Sequence, residues 1–341
     1  MKRYALYFTA PHSVEVREER LPPPVADELL VQTIVSAISP GSEMLFYRGQ
    51  VPAGLAVDAT IAALDGSFAY PLKYGYAAVG RVIAVGTAVS PDWQDRLVFA
   101  FQPHQSHFLA RPADLLPLPE GVEPETAVFL PNMETAVSFL MDGQPLIGEQ
   151  VAVFGQGIVG LLTTSLLAQF PLAALVTVEP VALRRQWSVR LGAHLTLDPT
   201  TPGAAAQLRA ALQSDRPYAG ADLVYELSGS PAALDKAIAA TGFNGRVVVG
   251  SWYGDKPVRL NLGGHFHRGQ VQMISSQVSH IAPQWNGRWS KPRRLQIAWA
   301  HLTSSHPADL ITHRFPIAQA PAAYALLDRQ PEQTIQVVLT Y

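Results

Sequence analysis

The stretch Val151-Ala-Val-Phe-Gly155-Gln-Gly157-Ile-Val-Gly160 decides the fold of this chain. An apolar strand, a glycine-rich turn and the start of an apolar helix follow one another within it. Gly155 permits a tight turn, Gly157 leaves the backbone open to a pyrophosphate, and Gly160 lets the helix pack close to the strand. The helix N-terminus offers free N–H groups and a positive dipole end to phosphates. The pattern predicts a dinucleotide-binding turn; the alternative is an ordinary glycine-rich turn.

A second apolar strand, Leu175–Val178, supports the dinucleotide interpretation because it ends in Glu179. An acid roughly 20 residues past the glycines is where a carboxylate accepts hydrogen bonds from ribose hydroxyls. Such a carboxylate repels a 2′-phosphate, so we expect NAD(H) to be preferred over NADP(H). Arg184 and Arg185 follow on the next helix, where they can flank the adenine.

The composition limits the classes of partner. The chain has 341 residues, of which 48% are hydrophobic and 15% charged, as in a compact globular protein. Its formal net charge is −2, so it lacks the basic field that nucleic acid or an anionic membrane surface requires. The absence of cysteine excludes disulfides and thiolate zinc sites. We expect a cytoplasmic protein without a signal peptide or membrane-inserted segment.

The pattern of predicted secondary structure changes near residue 132. Residues 4–131 read as short apolar strands with Pro and Gly between them, which predicts an antiparallel, barrel-like domain. Helices and strands alternate afterwards, as in a doubly wound parallel sheet. A tail with a helix at Pro292–Leu302 is too short to be a domain and is expected to complete the first one. The predicted domains are therefore 1–131 with 279–341, and 132–278.

This organisation resembles the medium-chain dehydrogenase/reductase superfamily over nearly the whole chain. The segments that carry the resemblance are Gly41-Ser-Glu43, Tyr47-Arg-Gly49, Gly75-Tyr-Ala-Ala-Val-Gly80, the glycine turn, Glu226-Leu-Ser-Gly229 and Ile311-Thr-His-Arg-Phe-Pro316. The resemblance implies an α/β protein, with a GroES-like β-barrel-type catalytic domain and a Rossmann domain that binds NAD(P). Ser251-Trp-Tyr-Gly254 with Phe266-His-Arg268 and Ile274-Ser-Ser-Gln277 is similar to a narrower branch that includes the bacteriochlorophyllide dehydrogenases.

The ligands of the family's catalytic zinc are missing from the matching positions. Zinc members place a Cys before Gly-Thr-Asp, where this chain has Ser39-Pro40. Tyr76 stands where they carry a His, and the segment Phe129–Met133 offers neither Cys nor Glu. A catalytic zinc needs three protein donors. We therefore expect no zinc and no other metal.

Without zinc, hydrogen-bond donors or an activated substrate must replace the polarising metal. The resemblance implies that Ser42 stands where zinc members hold a proton-relay hydroxyl. It also implies that the Tyr76 phenol points into the cavity that faces the nicotinamide. Glu43 is the nearest acid and therefore a candidate catalytic residue. Alternatively, it only ties the loop to Arg48. Lys73 is a candidate for lowering the pKa of Tyr76. Whether Tyr76 is a donor or fills the vacant metal pocket stays open at this point.

The resemblance also assigns residues to the cofactor. The predicted cofactor-binding residues are Thr135, Gly155, Gln156, Gly157, Ile158, Val159, Gly160, Glu179, Arg184, Ser228, Gly229, Gly250 and Trp252. Glu134, beside Thr135, is interpreted either as catalytic or as a helix-start carboxylate that complements the dipole.

Other polar and apolar groups have two interpretations each. His104, His107, His265 and His267 are expected to be hydrogen-bonding residues rather than metal ligands. The apolar stretch 51–70, with Leu55, Val57, Ile61, Leu64, Phe68 and Tyr70, either walls a substrate pocket or is local core. The loop at Trp285–Trp289, with Lys291, Arg293 and Arg294 after it, is expected to be a solvated surface, with a flank for an acidic substrate as the alternative.

The sequence thus predicts a zinc-independent NAD(P)(H)-dependent oxidoreductase. Hydride transfer would act on a secondary alcohol, ketone or conjugated carbonyl of a bulky apolar small molecule. The alternatives are a quinone or enone reductase and a non-catalytic nucleotide-binding redox sensor. An apolar edge strand at Val271–Val278 predicts a homodimer.

Overall fold

The computed structural model describes residues 1–52, 54, 61–64, 66, 68–212 and 219–341. The strands are β1 (Lys2–Ala10), β2 (Ser13–Arg20), β3 (Leu29–Ile38), β4 (Ala78–Val85), β5 (Leu97–Ala100), β6 (His107–Ala110), β7 (Leu115–Pro117), β8 (Gln150–Phe154), β9 (Ala174–Val178), β10 (Leu195–Leu197), β11 (Ala221–Glu226), β12 (Thr241–Val249), β13 (Gln272–Ser275), β14 (Ile311–Pro316) and β15 (Gln336–Thr340).

The α-helices are α1 (Ser42–Arg48), α2 (Pro124–Ala127), α3 (Leu130–Gly143), α4 (Ile158–Leu167), α5 (Ala182–Arg190), α6 (Ala204–Ala211), α7 (Pro231–Ala240), α8 (Lys291–Ser305) and α9 (Ala320–Arg329). Within the described ranges, no helix is both long enough and apolar enough to cross a bilayer.

Two compact units divide the chain. Residues 1–131 and 302–341 form the first unit, and residues 132–301 form the second. The predicted grouping placed residues 279–301 with the first domain, and the contacts place them in the second unit. The reason is Arg294, whose guanidinium donates to the carbonyls of Val278 and His280 and to the Glu134 carboxylate. No local pattern around residue 294 indicates these contacts.

The first unit is built on a mostly antiparallel sheet. Its strand order is β14-β15-β3-β4-β5-β7, with β6 also paired to β3, and β1 and β2 form a separate hairpin. The returning tail contributes β15, which pairs antiparallel with β3. Tail and N-terminal segment also share one apolar core, in which α9 residues such as Tyr324 pack with Phe8 and Phe46. This is the expected GroES-like domain, completed by the C-terminal tail.

The second unit is a six-stranded parallel sheet in the order β10-β9-β8-β11-β12-β13. This is the Rossmann order, and its switch point lies between β8 and β11. Along β8, Val151 and Val153 pack into one core cluster while Ala152 and Phe154 pack into another. Because both faces of the sheet are covered, its strands are apolar throughout. The predicted α/β fold class is confirmed.

Candidate functional site

The glycine turn lies between β8 and α4, at the carboxyl end of the strands. Gly155 has a φ of +90°, and a Cβ there would lie 2.5 Å from the Ser228 Cα. A Cβ on Gly160 would lie 2.1 Å from the carbonyl oxygen of Gly155. A Cβ on Gly157, in contrast, would meet no atom within 4 Å. Gly155 and Gly160 are therefore required by packing, whereas Gly157 leaves the open space that a pyrophosphate needs.

The first turn of α4 provides the anion-binding groups. The helix begins at Ile158, and its N-cap, Gly157, makes no side-chain capping hydrogen bond. Helix N-terminal N–H groups without an internal partner attract anions. Ile158 is buried and Val159 packs against the core, so these two predicted residues would contact a phosphate through their backbone N–H groups.

Glu179 is fixed to the same turn. The Gln156 N–H donates to its Oε2 at 2.6 Å, and the Val181 N–H donates to its Oε1 at 3.0 Å. Each carboxylate oxygen accepts more than one hydrogen bond, so capacity for ribose hydroxyls remains. The buried Gln156 amide bonds to the Gly155 carbonyl and to Thr164 Oγ1. Its side chain therefore stabilises the turn, and its backbone N–H orients Glu179.

The two arginines on α5 differ in their surroundings. Arg185 donates to the carbonyls of Glu179 and Pro180, and its Nη1 lies 3.0 Å from Asp198 Oδ2. This guanidinium is neutralised by Asp198 and held beside the strand end. Arg184, the predicted cofactor residue, is half-buried.

A buried carboxylate that the sequence analysis did not assign to the site lies at the end of β11. Glu226 is fully buried and accepts hydrogen bonds from the Ser228 N–H at 2.9 Å, from the Ser228 hydroxyl and from the Tyr253 hydroxyl. Burial and the bond to Glu226 raise the pKa of Tyr253. The signal for Glu226 in the sequence was its position at the end of the apolar strand β11, within the motif Glu226-Leu-Ser-Gly229.

Glu226 thereby positions Ser228 and Gly229, two predicted cofactor residues. The Gly229 N–H donates to Ser251 Oγ at 2.8 Å, and its carbonyl accepts from Lys256 Nζ at 2.7 Å. Trp252, next to Ser251, is exposed. A Cβ on Gly250 would lie 2.3 Å from the Phe139 ring, so packing requires glycine there, and its contact with the cofactor stays a prediction. Thr135 is half-buried on α3.

In the first unit, Tyr76 meets two serine hydroxyls. Its phenol donates to Ser39 Oγ at 2.6 Å and lies 3.5 Å from Ser42 Oγ. The Ser42 N–H donates to Ser39 Oγ at 3.3 Å. All three side chains are half-buried. The structure therefore brings Tyr76 and Ser42 together as the family match implied, with Ser39 between them.

Glu43 lies directly behind these hydroxyls, fully buried on α1. The predicted contact with Arg48 is absent, because Arg48 pairs with Asp328 at 2.7 Å. Instead, Glu43 accepts hydrogen bonds from the Ser39 N–H at 2.8 Å, from His104 Nε2 at 3.0 Å and from the Tyr324 hydroxyl. Burial and the neighbouring Glu43 raise the pKa of Tyr324 well above its ordinary value.

His104 joins Glu43 to Ser36. Its Nδ1 lies 2.7 Å from Ser36 Oγ, which in turn lies 2.7 Å from the Tyr341 hydroxyl. Hydroxyl, imidazole and carboxylate thus follow one another as in a hydrolytic triad, but Ser36, His104 and Glu43 are all fully buried. A buried Ser36 is not a nucleophile that a substrate can contact, so the group is not a hydrolytic site.

Lys73 is not where a catalytic partner of Tyr76 is expected. Its Nζ lies 2.9 Å from Glu19 Oε2, and Arg3 and the Tyr7 hydroxyl bond to the same carboxylate. Burial opposes the charge on Glu19, but the hydrogen bonds from Tyr7, Lys73 and Arg3 outweigh it and lower its pKa to about 2. Burial lowers the pKa of Lys73, and the bond to Glu19 opposes this. Lys73 therefore belongs to the β1–β2 hairpin network.

The residues at the zinc positions have different chemistry from zinc ligands. Ser39 and Tyr76 offer neutral hydroxyls that bond to each other, and Pro40 offers none. Phe129, Leu130 and Met133 are fully buried apolar residues. Across the described part of the chain there is no group of three His, Asp or Glu side chains able to hold a metal ion. These residues do not fit the donor set of a catalytic zinc.

The remaining predicted features are mostly structural. Leu64 lies in the core of the first unit, with Ile61, Phe68 and Tyr70 packed against it, which favours the core interpretation for these four residues. Leu55 and Val57 lie outside the described residues. Leu64 also lines a depression of about 530 Å³ that Arg3, Tyr7 and Lys73 flank.

Two of the other histidines make local hydrogen bonds. The His107 ring contacts Ser106 Oγ at 3.0 Å, and the His265 ring bonds to the Thr241 carbonyl. Arg294, predicted to be solvated, is only 1% exposed, because it pairs with Glu134 on α3. Glu134 lies one turn into α3, and Arg294 neutralises its carboxylate.

Known proteins share this architecture. A family model described as zinc-binding dehydrogenase matches residues 159–290. The chain is 24% identical to D-guloside 3-dehydrogenase of Escherichia coli K12 over 275 residues, which cover 79% of this chain and 77% of that protein. It is 25% identical to 2-desacetyl-2-hydroxyethyl bacteriochlorophyllide A dehydrogenase of Cereibacter sphaeroides, covering 97% and 96% of the two chains.

These similarities support an assignment to the medium-chain dehydrogenase/reductase superfamily. Among solved structures, it resembles a short chain alcohol dehydrogenase of Escherichia coli CFT073 complexed with NADH. The TM-score is 0.78 at 17% identity, covering 100% of this chain and 99% of the other. The relatives and structural neighbours are dehydrogenases and oxidoreductases, which is consistent with an NAD(P)-dependent oxidoreductase.

The match to a zinc-binding family carries no information about zinc in this member. The matched residues, 159–290, lie within the second unit. Ser39, Pro40, Tyr76 and the segment Phe129–Met133, where the family's ligands are expected, all fall outside the match.

Proposed function

We propose that this protein transfers hydride between NAD(H) and a secondary alcohol/ketone or conjugated carbonyl without a catalytic zinc. The observation that carries the proposal is the hydroxyl cluster of Tyr76, Ser39 and Ser42, in which Tyr76 and Ser39 stand where zinc members hold metal ligands. Preorganised donors stabilise charge that develops on a reacting oxygen. A cluster of three hydroxyls supplies such donors, although each polarises the oxygen less than a metal ion.

The second unit offers the cofactor site. The open space over Gly157 and the uncapped N-terminus of α4 would receive the pyrophosphate. Glu179 would accept the ribose hydroxyls, and Ser228 and Gly229 would bind from the end of β11. The nicotinamide supplies or takes the hydride when the cofactor is bound. The residues of the chain hold the reactants and provide the proton for the substrate oxygen.

We propose that NAD(H) is preferred over NADP(H). The Glu179 carboxylate is held at the turn by two backbone N–H groups, and a 2′-phosphate beside it would meet repulsion. Arg185 cannot offset this readily, because Asp198 already neutralises it.

The proposed substrate is bulky and apolar. Tyr76 continues a run of aromatic rings through Tyr74 and Phe46 to Phe68, with ring centroids 6.1, 4.0 and 5.4 Å apart. An aromatic surface beside the hydroxyls favours a planar or apolar body on the substrate. The relative 2-desacetyl-2-hydroxyethyl bacteriochlorophyllide A dehydrogenase, whose name gives a substrate with a hydroxyethyl group, supports a secondary alcohol on a large ring system.

Turnover with a panel of substrates tests the proposal. The panel contains bulky aryl-alkyl secondary alcohols and their ketones, a sugar-derived ketone, and quinones and enones, each with NAD(H) and NADP(H). We expect the first group to change the absorbance of NADH most rapidly. Fastest turnover of quinones or enones would instead support the metal-free quinone/enone reductase. Tight cofactor binding with no turnover of any member would support the redox sensor.

We also propose a homodimer. Strand β13 is the last strand of the parallel sheet, and its Met273 is 42% exposed. An apolar sheet edge is an association site. Sedimentation velocity at micromolar concentration should show a dimer, and a stable monomer would contradict the proposal.

A further inference from the structure

We propose that Ser39 is the residue that exchanges the proton with the substrate oxygen, and that Tyr76 replenishes it. This inference rests on the proposed function and deepens it, because it selects one hydroxyl of the three. With Pro40, Ser39 stands where zinc members place a cysteine ligand.

The hydrogen bonds of the Ser39 side chain carry the inference. The Tyr76 phenol donates to Ser39 Oγ at 2.6 Å, and the Ser42 N–H donates to the same atom at 3.3 Å. A serine hydroxyl has two acceptor lone pairs and one proton. Both lone pairs are therefore used, and the proton of Ser39 is directed away from its two donors. Among the described residues no acceptor takes it, so it is available to a substrate oxygen.

The backbone of Ser39 is held from behind. Its N–H donates to Glu43 Oε1 at 2.8 Å, and its carbonyl accepts the Glu43 N–H at 3.1 Å. Glu43 is fully buried and cannot rotate freely, because His104 and Tyr324 bond to its other oxygen. Catalytic groups work best when their supporting contacts fix them. Glu43 and His104 are thus positioning residues for Ser39.

Gly75 makes room for this support. A Cβ at Gly75 would lie 2.7 Å from the His104 ring, and its φ of +117° is one that other residues rarely adopt. The residue before Tyr76 is therefore glycine because the buried His104 ring packs against it. The turn that carries Tyr76 and the pair that anchors Ser39 are fixed by the same contact.

The proton and electron balance of the reduction is complete. The carbonyl carbon gains a hydride, whose two electrons come from the reduced nicotinamide of the proposed function. The carbonyl oxygen gains the proton of Ser39 Oγ, whose O–H bond breaks. Ser39 Oγ then takes the proton of the Tyr76 phenol, and the phenolate regains a proton from water. Oxidation of the alcohol follows the same path in reverse.

Variants at the two serines separate Ser39 from Ser42. Ser39→Ala removes the proposed donor, so we expect kcat to fall about a hundredfold, as for the loss of a general acid. The KM for NADH should stay near that of the wild type, and Ser39→Thr should restore most of the turnover. Ser42→Ala keeps the backbone N–H that bonds to Ser39, so it should cost less than Ser39→Ala. Ser13→Ala, an exposed serine of the first unit, is the matched control.

A readout that does not depend on turnover is neutron diffraction from deuterium-exchanged crystals. We expect the Tyr76 deuteron to lie on the line to Ser39 Oγ and the Ser39 deuteron to point away from Tyr76. A Ser39 deuteron directed at Tyr76, a Ser39→Ala enzyme with wild-type kcat, or a greater loss in Ser42→Ala would overturn the inference. Expected deuteron positions in a protein that turns over no substrate would refute the proposed function and leave the assignment of the donor standing.

Discussion

Arg294 and Glu134 form a buried ion pair between residues 160 positions apart in the sequence. The guanidinium Nη2 lies 2.8 Å from Glu134 Oε1, and Nε lies 3.1 Å from the same oxygen. Arg294 is 1% exposed and also donates to Ser138 Oγ and to the carbonyls of Val278 and His280. The pair therefore fixes the segment after β13 and the start of α8 to α3.

Removal of one partner should destabilise the fold strongly. Arg294→Met leaves the Glu134 carboxylate buried without a partner, which typically costs about 3–5 kcal/mol of unfolding free energy. The double variant Glu134→Met/Arg294→Met removes both charges, so its stability should lie closer to that of the wild type. Denaturant unfolding measures both. Arg293→Met changes the exposed neighbouring residue and is the matched control. If Arg293→Met lowers the free energy of unfolding as much as Arg294→Met does, the prediction is contradicted.

Arg294 shows why part of the site could not be predicted from sequence. Lys291, Arg293 and Arg294 form a basic cluster, which usually indicates a solvated face. The carboxylate that buries Arg294 is far away along the chain and lies in an apolar helix. The same holds for Glu43, whose partner His104 comes 61 residues later. The identity of a buried partner depends on tertiary packing, which local patterns do not report.

Glu179→Gln should weaken the preference for NAD(H). The glutamine keeps an oxygen for the Gln156 N–H but loses the charge that repels a 2′-phosphate. We expect the NADPH dissociation constant divided by the NADH dissociation constant to fall on the order of tenfold, which corresponds to ~1.4 kcal/mol. Fluorescence titration of both cofactors measures it. Equal or tighter binding of NADPH by the wild type would refute the assignment. Glu123→Gln, an exposed acid of the first unit, is the control.

The purified protein should contain well under one zinc per chain. Two of the three family ligand positions hold hydroxyl or proline side chains, and the third lies in the apolar segment Phe129–Met133. Elemental analysis after purification without chelators or added metal gives the ratio. A stoichiometric zinc that is lost together with activity on dialysis against a chelator would show that the chain binds the metal by other donors.

Acid should destabilise the β1–β2 hairpin through Glu19. Its pKa is lowered from the ordinary 4.5 to about 2, because the hydrogen bonds outweigh the effect of burial. The ionised group therefore stabilises the fold above pH 4.5, and this stabilisation is lost as the pH falls toward 2. We expect a contribution on the order of 2 kcal/mol after allowance for partial exposure.

Thermal unfolding across this pH range tests the prediction. Glu19→Gln should lower Tm at neutral pH and flatten its dependence on pH in the acid range. Glu18→Gln alters an exposed acid on the same strand, which pairs with the exposed Lys2, and should leave the slope nearly unchanged. The same acid slope in Glu19→Gln and the wild type would assign the effect to other groups.

The cofactor half of the site could be predicted because its signals are local. The turn at Gly155–Gly160 and the acid at Glu179 lie within one βαβ unit, so spacing along the chain determines their proximity. Glu226 lies on a neighbouring strand across the switch point, and only the sheet order brings it to the turn. The hydroxyl cluster is intermediate: family positions indicated Ser42 and Tyr76, but the contact with Ser39 depends on how two loops meet.

Tyr76→Phe decides whether the tyrosine is a donor or a filler. The variant keeps the ring that packs against Tyr74 and removes only the phenol that donates to Ser39. If Tyr76 supplies the proton, turnover should fall on the order of a hundredfold or more. NADH affinity and Tm should remain near those of the wild type, because the ring still fills its place. Tyr76→Ala should in addition lower Tm, since the half-buried ring is lost.

Three measurements on the two variants distinguish a donor from a filler: stopped-flow turnover, NADH titration and thermal unfolding. Full activity of Tyr76→Phe with a lowered Tm of Tyr76→Ala would mean that the ring only fills the space of the lost metal ligand. The proton would then have to reach Ser39 from water. Loss of activity in Tyr76→Phe together with unchanged structure would make the phenol part of the reaction. Tyr4→Phe, an exposed tyrosine of the same unit, controls for the loss of a hydroxyl elsewhere.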